Sequence, residues 1–461
     1  MKKCCFAVSA ALLAMQLFAQ APRPRLFVLT DLANEPDDEE SLVRLLVYAN
    51  EFDIEGLVAT TSIHMKNGPR EDILRATIGA YGEVRGNLAV HATGYPTAEA
   101  LLAVSASGQP GYGLSSVDKP TPGSKLLAER ILVKDARPLW ITVWGGANTL
   151  LRALRDARSS AAHEVFSRAL KNLRVYSICD QDDTGYVIRC EFPELCYIVD
   201  PCPPGRPGDG RSYDNSTWRG ISGDLHGRDK LHYPFREMVE NRWLEENIIS
   251  KGPLGRRYPK WKYFMEGDTP AYLGLIGNGL CWIESPSYGG WGGRYEWRRP
   301  AAEPHEIWAS PIECDDYDGK KRPMSAIIRW REEYQSDFAG RMLWSVTPKY
   351  ADANHNPVAV LNGDRTKGVV RIKARRGESV RLTAAGTSDP DGDKLRYEWF
   401  IYREAGTLRG GSLSADGAGA TVSLSDVAPG DSGELHVVLR VRDDGKPAMF
   451  AYRRAVIAVG K

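Results

Sequence analysis

The stretch LTDLANEPDDEESL, residues 29–42, decides how the chain is read. The apolar run Leu26 to Leu29 predicts a buried strand that ends at Thr30 and Asp31. After a short loop come Asp37 and Asp38. From residue 39 to 50, Leu42, Leu45, Leu46 and Tyr48 recur at helical spacing. Three aspartates therefore gather at the carboxyl end of a buried strand, where open α/β sheets place their ligands. Core packing has no use for that much negative charge. A helix cap accounts for one or two acids at residues 37–40, because carboxylates favour a helix start. It does not account for Asp31. A hard cation, sugar hydroxyls, or both would.

Outward from this stretch, strand and helix signals alternate. Strands are expected at 54–61, 88–92, 138–144 and 174–179, and helices at 71–84, 124–135, 147–158 and 163–173. Such alternation predicts an α/β fold with a doubly wound, mostly parallel sheet. Residues 201–210 are rich in Pro and Gly and read as loop. Residues 237–249 and 327–344 read as helices, with a long ordered loop region at 284–320. Beyond 348–357 helical signals vanish. Short alternating runs at 369–373, 379–384, 395–401, 420–424, 434–441 and 451–459 predict a small all-β Ig-like sandwich. The expected division is 1–21 as signal peptide, 22–347 as α/β domain and 348–461 as β-sandwich.

Lys2 and Lys3, the apolar run 6–18 and the Ala19-Gln20-Ala21 cleavage site make the signal reading. It places the protein in a secreted or periplasmic compartment. No cysteine follows that site and no later stretch is long enough to span a bilayer, so no membrane anchor is expected. A formal net charge of +1 over 461 residues gives no reason to expect nucleic acid as a partner. Twelve Trp and twenty Tyr at neutral charge suit carbohydrate contact, or else fill cores. After the signal, Cys179, Cys190, Cys196, Cys202, Cys281 and Cys314 remain. Four of them fall between residues 179 and 202, where one local disulfide is expected unless they stay as buried thiols. Homo-oligomerisation is left open.

The loops after the predicted strands converge on one edge. They carry Asp31, Glu35, Asp37 and Asp38; then Thr60, Thr61, Ser62 and His64; then Trp144, Gly145, Gly146 and Asn148; then Asp180, Gln181, Asp182 and Asp183. The result is an acidic cleft rich in hydroxyls and amides. Several carboxylates together with a main-chain carbonyl suit Ca²⁺, which takes six to eight oxygen ligands.

LTDLANEPDDEESL resembles the nucleoside hydrolase signature, in which Asp-x-Asp-x-Gly-x-Asp-Asp builds a calcium site. Asp31, Asp37 and Asp38 match its later three aspartates, with a loop two residues longer, and Leu29 stands where the first would be. ITVWGGANTL (141–150) is similar to a segment whose backbone carbonyl reaches the metal, at Trp144 here. EGDTPAYLGLI (266–276) is similar to the His-Asp-Pro segment that gives the last ligand, Asp268 here. The chain as a whole resembles a secreted bacterial family of cellulose-binding proteins with a nucleoside-hydrolase-like domain. VYSICDQDDTGYVIRCEFPELCYIVDP, YGGWGGRYEW and GTSDPDGDKLRYEW carry that likeness.

The resemblance implies Asp31 as cation ligand and general base, Asp38, Asp268 and the Trp144 carbonyl as further ligands, and Asp37 on sugar hydroxyls. Ser62, His64, Asn148, Asp180, Gln181 and Asp182 are expected around the substrate. The leaving-group histidine of some nucleoside hydrolases is Gly267 here, so Glu266, His64 or Asp182 is expected as acid, with Glu266 and Asp31 as the pair to test. The expected function is a calcium-dependent glycosyl hydrolase. The alternatives are a non-catalytic carbohydrate-binding (cellulose-binding) protein and, less favoured, a nucleoside N-ribohydrolase. Two further signals stand apart. Asp389, Asp391 and Asp393 read as a tight turn, and Trp282, Trp291, Trp297, Tyr288 and Tyr295 read as a sugar platform or as core.

Overall fold

The structure, a computed structural model, describes residues 22–33, 35–225 and 231–460. The expected signal segment 1–21 lies outside the described residues. The first part is built on an eight-stranded sheet: β1 (Arg25–Thr30), β2 (Asp53–Ala59), β3 (Ser105–Ser107), β4 (Leu139–Val143), β5 (Leu173–Cys179), β6 (Cys196–Asp200), β7 (Glu296–Arg298) and β8 (Ile307–Ala309). Their spatial order is β3-β2-β1-β4-β5-β6-β8-β7. All neighbours pair in parallel except β7 on β8. The order reverses between β1 and β4, and the crevice beside that switch point is where such sheets bind ligands. Arg25–Thr30 is buried at every position, as a central strand covered on both faces must be.

Helices α1 (Asp37–Val47), α2 (Glu71–His91), α3 (Ala98–Ala103), α4 (Pro122–Leu132), α5 (Asn148–Ser160), α6 (His163–Lys171) and α7 (Thr184–Glu191) connect the strands. Residues 88–92, expected as a strand, are the end of α2. Leu74, Ile78, Tyr81, Val84 and Leu88 form one continuous buried stripe at helical spacing, so the helix runs on to His91. The third strand is instead the short, polar Ser105–Ser107. The helix expected at 237–249 is broken into a 3₁₀ turn, a single α turn and a π turn. The region expected as loop, 284–320, supplies β7 and β8, which extend the sheet edge.

A small ribbon, β9 (Asp316–Tyr317) with β10 (Lys320–Lys321), and the helix Arg331–Trp344 complete this part. The second part is a two-sheet β-sandwich. One sheet orders β11 (Val370–Ala374), β17 (Phe450–Val459), β16 (Gly433–Arg442) and β13 (Arg396–Ile401); the other orders β12 (Ser379–Thr383), β15 (Gly419–Ser423) and β14 (Ser412–Asp416). Leu382, Val422, Leu439 and Ile457 lie in the core between them.

The two parts share a core. Tyr402, Val438, Met449, Phe450 and Tyr452 pack in one cluster with Trp282, Trp291 and Trp330. Trp291 Nε1 donates to Tyr452 Oη at 3.2 Å, and Arg454 donates to the carbonyls of Tyr288 and Gly289, each at 2.9 Å. Of the expected sugar platform, Trp282, Trp291, Tyr288 and Tyr295 are therefore core, while Trp297 stays 51% exposed on the edge strand. All six described cysteines are free thiols, so the local bridge is not formed; Cys179 and Cys202 face each other in hydrogen-bonding contact. No helix among the described residues is long and apolar enough to cross a membrane.

Candidate functional site

Parallel strands β1, β2, β4 and β5 bring their following loops to one edge, and a cavity of about 160 Å³ opens there. Asp31, Glu35, Asp37, Asp38, His64, Gln181 and Asp268 line it, and Tyr213, Trp218, Tyr263 and Phe264 form an aromatic wall. A larger shallow depression of about 620 Å³ lies on the β12-β15-β14 sheet. Its lining offers one carboxylate, Asp416, and no converging acid and base.

Asp37 and Asp38 occupy the first turn of α1, where the helix dipole favours negative charge. Asp268 comes from a distant loop. Ligand atoms of Asp37, Asp38 and Asp268 all lie within 4.8 Å of one another. Asp38 Oδ1 accepts from the Asp31 backbone N–H at 3.1 Å and from the Thr30 hydroxyl, which locks strand end to helix start. Asp31 Oδ1 and Asp268 Oδ2 are buried with no hydrogen-bond partner. Burial pushes all four carboxyls up, and repulsion from neighbouring carboxylates adds to it for Asp37, Asp38 and Asp268; Asp37 reaches about 8. For Asp31, a hydrogen bond from Ser62 works in the opposite direction. Glu35 is also raised, chiefly by burial.

Two glycines shape the floor. A Cβ at Gly145 would stand 2.3 Å from Asp31 Oδ1, so only glycine lets the β4 end pass this carboxylate. A Cβ at Gly267 would stand 2.8 Å from Asp37 Oδ2 and 3.1 Å from the Trp218 ring. Any larger side chain at 267 would press on the Asp37 carboxylate and then on the Trp218 indole.

The expected residues divide into two groups. Asp31, Asp37, Asp38, His64, Gln181 and Asp268 face the cavity. Ser62 lies behind Asp31, and its Oγ accepts from the N–H groups of His64 and Met65 at 3.0 and 3.1 Å. The Trp144 carbonyl accepts from Gln181 Nε2 at 2.5 Å. The others point elsewhere, for identifiable reasons. Glu266, expected as acid, is fully buried. Its Oε2 is 2.5 Å from Arg44 Nε, and Tyr258 and Thr269 each donate to its carboxylate at 2.7 Å. Held by a buried guanidinium and two hydroxyl donors and absent from the cavity lining, Glu266 is a structural anchor. Asp182 accepts from the Asn148 N–H at 3.1 Å and from the Thr184 N–H at 2.9 Å, holding the starts of α5 and α7 together. Asn148 donates to Thr61 Oγ1 and to the Gly111 carbonyl.

Asp180 pairs bidentately with Arg189 at 2.9 and 2.8 Å, and Arg189 also binds Glu303. Removing Asp180 leaves Arg189 paired with Glu303 alone and strands buried N–H groups, at a cost of about 1–3 kcal/mol. Asp180→Ala is therefore expected to lower stability by that amount in urea denaturation; an unchanged midpoint would contradict the anchoring role.

Glu35 and the aromatic wall were missed as site residues. Glu35 was visible as a fourth acid in the opening loop. Tyr263 and Phe264 directly precede the Glu266-Gly267-Asp268 segment. Tyr213 and Trp218 follow a Pro/Gly loop and carry no periodic signal.

Comparison with known proteins identifies the family. The family described as cellulose-binding Sde182, nucleoside hydrolase-like domain, matches residues 25–295. The chain belongs to this family. The description cellulose-binding protein Sde0182, C-terminal domain, matches residues 379–459. A solved structure of a nucleoside hydrolase-related hypothetical protein from Saccharophagus degradans, described as associated with carbohydrate metabolism, is 33% identical. That match covers 95% of this chain and 100% of the other, with a TM-score of 0.79. The effector protein XOO4466 is 12% identical over 71% of this chain and 95% of its own, at a TM-score of 0.27, too low to carry weight. No curated protein matches. The nucleoside-hydrolase-like fold is thus this family's.

Proposed function

We propose that the chain is an exported, calcium-dependent glycoside hydrolase that draws one terminal sugar into the acidic cavity. The observation that carries the reading is the meeting of Asp37, Asp38 and Asp268 within 4.8 Å beside the orphaned Asp31 Oδ1. An all-oxygen, carboxylate-rich donor set suits a hard cation. Asp37, Asp38 and Asp268 would hold it, with Asp37 moved from the sugar-binding role expected for it. Bound there, Ca²⁺ would offset the carboxylate repulsion and orient hydroxyl groups.

Asp31, braced by Ser62 and backed by Gly145, takes the proton of the attacking water. The water oxygen bonds to the anomeric carbon as the glycosidic bond breaks. The leaving oxygen takes a proton from Glu35, which lines the same cavity and is raised by burial. His64 stands beside it, with Nε2 3.5 Å from Tyr213 Oη. Trp218, Tyr263 and Phe264 offer ring faces to the sugar. A cavity of about 160 Å³ is well below the roughly 300–1,000 Å³ of pockets that enclose whole drug-sized ligands. It therefore suits a chain end or a small glycoside, not a polymer threaded through.

A second reading, cellulose binding without turnover, is favoured by the family description and by the exposed Trp297. Incubation with end-labelled oligosaccharides and small glycosides in Ca²⁺ separates the two. The expected result is release of single sugars, stopped by a chelator. Absence of product, with the chain retained on insoluble cellulose, would favour the second reading. Inosine and uridine are expected to release no base.

A further inference from the structure

A line of three polar contacts joins the two parts of the chain far from the cavity. His91, the last residue of α2, places Nε2 2.7 Å from the Thr347 carbonyl oxygen. Its Nδ1 lies 3.0 Å from His355 Nε2. His355 Nδ1 lies 3.0 and 3.1 Å from the two carboxylate oxygens of Asp391, in the acidic turn of the sandwich. The His355 backbone N–H also donates to Asp391 Oδ2 at 2.8 Å.

A carbonyl oxygen and a carboxylate can only accept, and each ring nitrogen either donates or accepts. Three contacts need three hydrogens. Two neutral imidazoles supply two. Any arrangement with only two hydrogens sets lone pair against lone pair at about 3 Å, in a place where His91 is 7% and His355 4% exposed. An unmade hydrogen bond is costly there. We propose that Asp391, His355 and His91 share one extra proton, forming a latch that holds the sandwich to the α/β part and loosens as pH rises.

The surroundings suit a shared positive charge. Tyr350 stacks on His355 at 3.7 Å and 5°, and Trp344 stacks on His91 at 5.5 Å and 13°. The ionisable groups facing the pair come from every packed element. Tyr350 lies on the linking segment, Asp391 on the acidic turn with Asp389 behind it, and Asp443 on the neighbouring turn, where its Oδ1 accepts from Asn354 Nδ2 at 3.1 Å. Burial, with a lesser contribution from the facing His355, holds His91 below its ordinary range, which opposes a second proton. One proton, balanced by Asp391, leaves the three groups neutral as a unit. The sign follows. With three contacts to fill, the folded latch binds one proton more than two free neutral imidazoles, so stability falls as pH rises above the ordinary histidine value, about 6.5.

The test is ring-nitrogen NMR on the full chain labelled at histidine. At pH 8 three ring N–H groups are expected across His91 and His355; two, one per ring, would overturn the proposal. Asp391→Asn gives the second arm. Its carbonyl can accept the His355 N–H while its amide donates to His355 Nδ1, so all three contacts close without the extra proton. The variant is expected to fold and to lose the wild-type fall in unfolding midpoint between pH 7 and 9. Parallel pH profiles for the two proteins would overturn the latch.

Discussion

Asp31→Asn is expected to abolish sugar release while leaving the chain folded and able to bind Ca²⁺. The carboxylate is held by the end of β1, hydrogen-bonded from Ser62 and pressed against Gly145, and its Oδ1 is free to accept a proton. Asparagine fills the same space but cannot take that proton. General-base catalysis is worth roughly 10²–10⁴-fold, and a loss of that size is expected in kcat, with KM little changed. Single-turnover product analysis measures it. Full activity in the variant would remove Asp31 from the chemistry. Gly145→Ala should act in the same direction through displacement of Asp31, since the new methyl group has no room beside it.

The second large effect concerns stability and reverses with calcium. In a chelator, Asp268→Asn is expected to melt at a higher temperature than the wild type, because it removes one of four crowded, buried carboxylates. In Ca²⁺ at 100 times the dissociation constant, the wild type gains about 2.7 kcal/mol and the order inverts. The pH dependence has a definite sign. Burial and the neighbouring Glu35 and Asp31 raise Asp37 to about 8, and Asp31, Asp38 and Asp268 are raised as well. A carboxyl whose folded value lies above its unfolded one, about 3.9, contributes stability below that pH and loses it as pH rises through the folded value. The chelated wild type should therefore lose stability steadily from about pH 4 upward, and the calcium-loaded protein should keep it up to about pH 7, where the His91–His355 latch begins to release its proton. Differential scanning calorimetry across that range reads both. A variant less stable than the wild type in chelator would mean the carboxylates are not in conflict.

Much of this was legible because it is periodic or local. Leu26 to Leu29 running into Asp31 fixed the first strand and the acidic loop, and Trp144-Gly145-Gly146 marked the end of a second strand at the same edge. Asp268 became visible through resemblance alone. The expected site residues that the structure gives other partners share a feature. Asp180, Asp182, Asn148 and Glu266 stand at or near strand and helix ends, where polar residues either face a ligand or tie the ends together. Which they do depends on partners distant in sequence: Arg189 and Glu303 for Asp180, and Arg44 for Glu266. Trp218 shows the converse. Its indole lies against Gly267, 49 residues further along the sequence, so its place in the site follows from packing that no spacing pattern records. The end of α2 was misread because Leu88 to His91 is short and apolar, which suits a strand as well as a helix.

The central claim is the cation site, and isothermal titration with Ca²⁺ tests it most directly. Wild-type full-length protein at pH 7.5 is expected to bind one Ca²⁺ per chain with release of protons, because raised carboxyls must ionise to bind it. Asp38→Ala and Asp268→Asn are expected to bind none. Absence of Ca²⁺ binding by the wild type, or unchanged binding in both variants, would contradict the account.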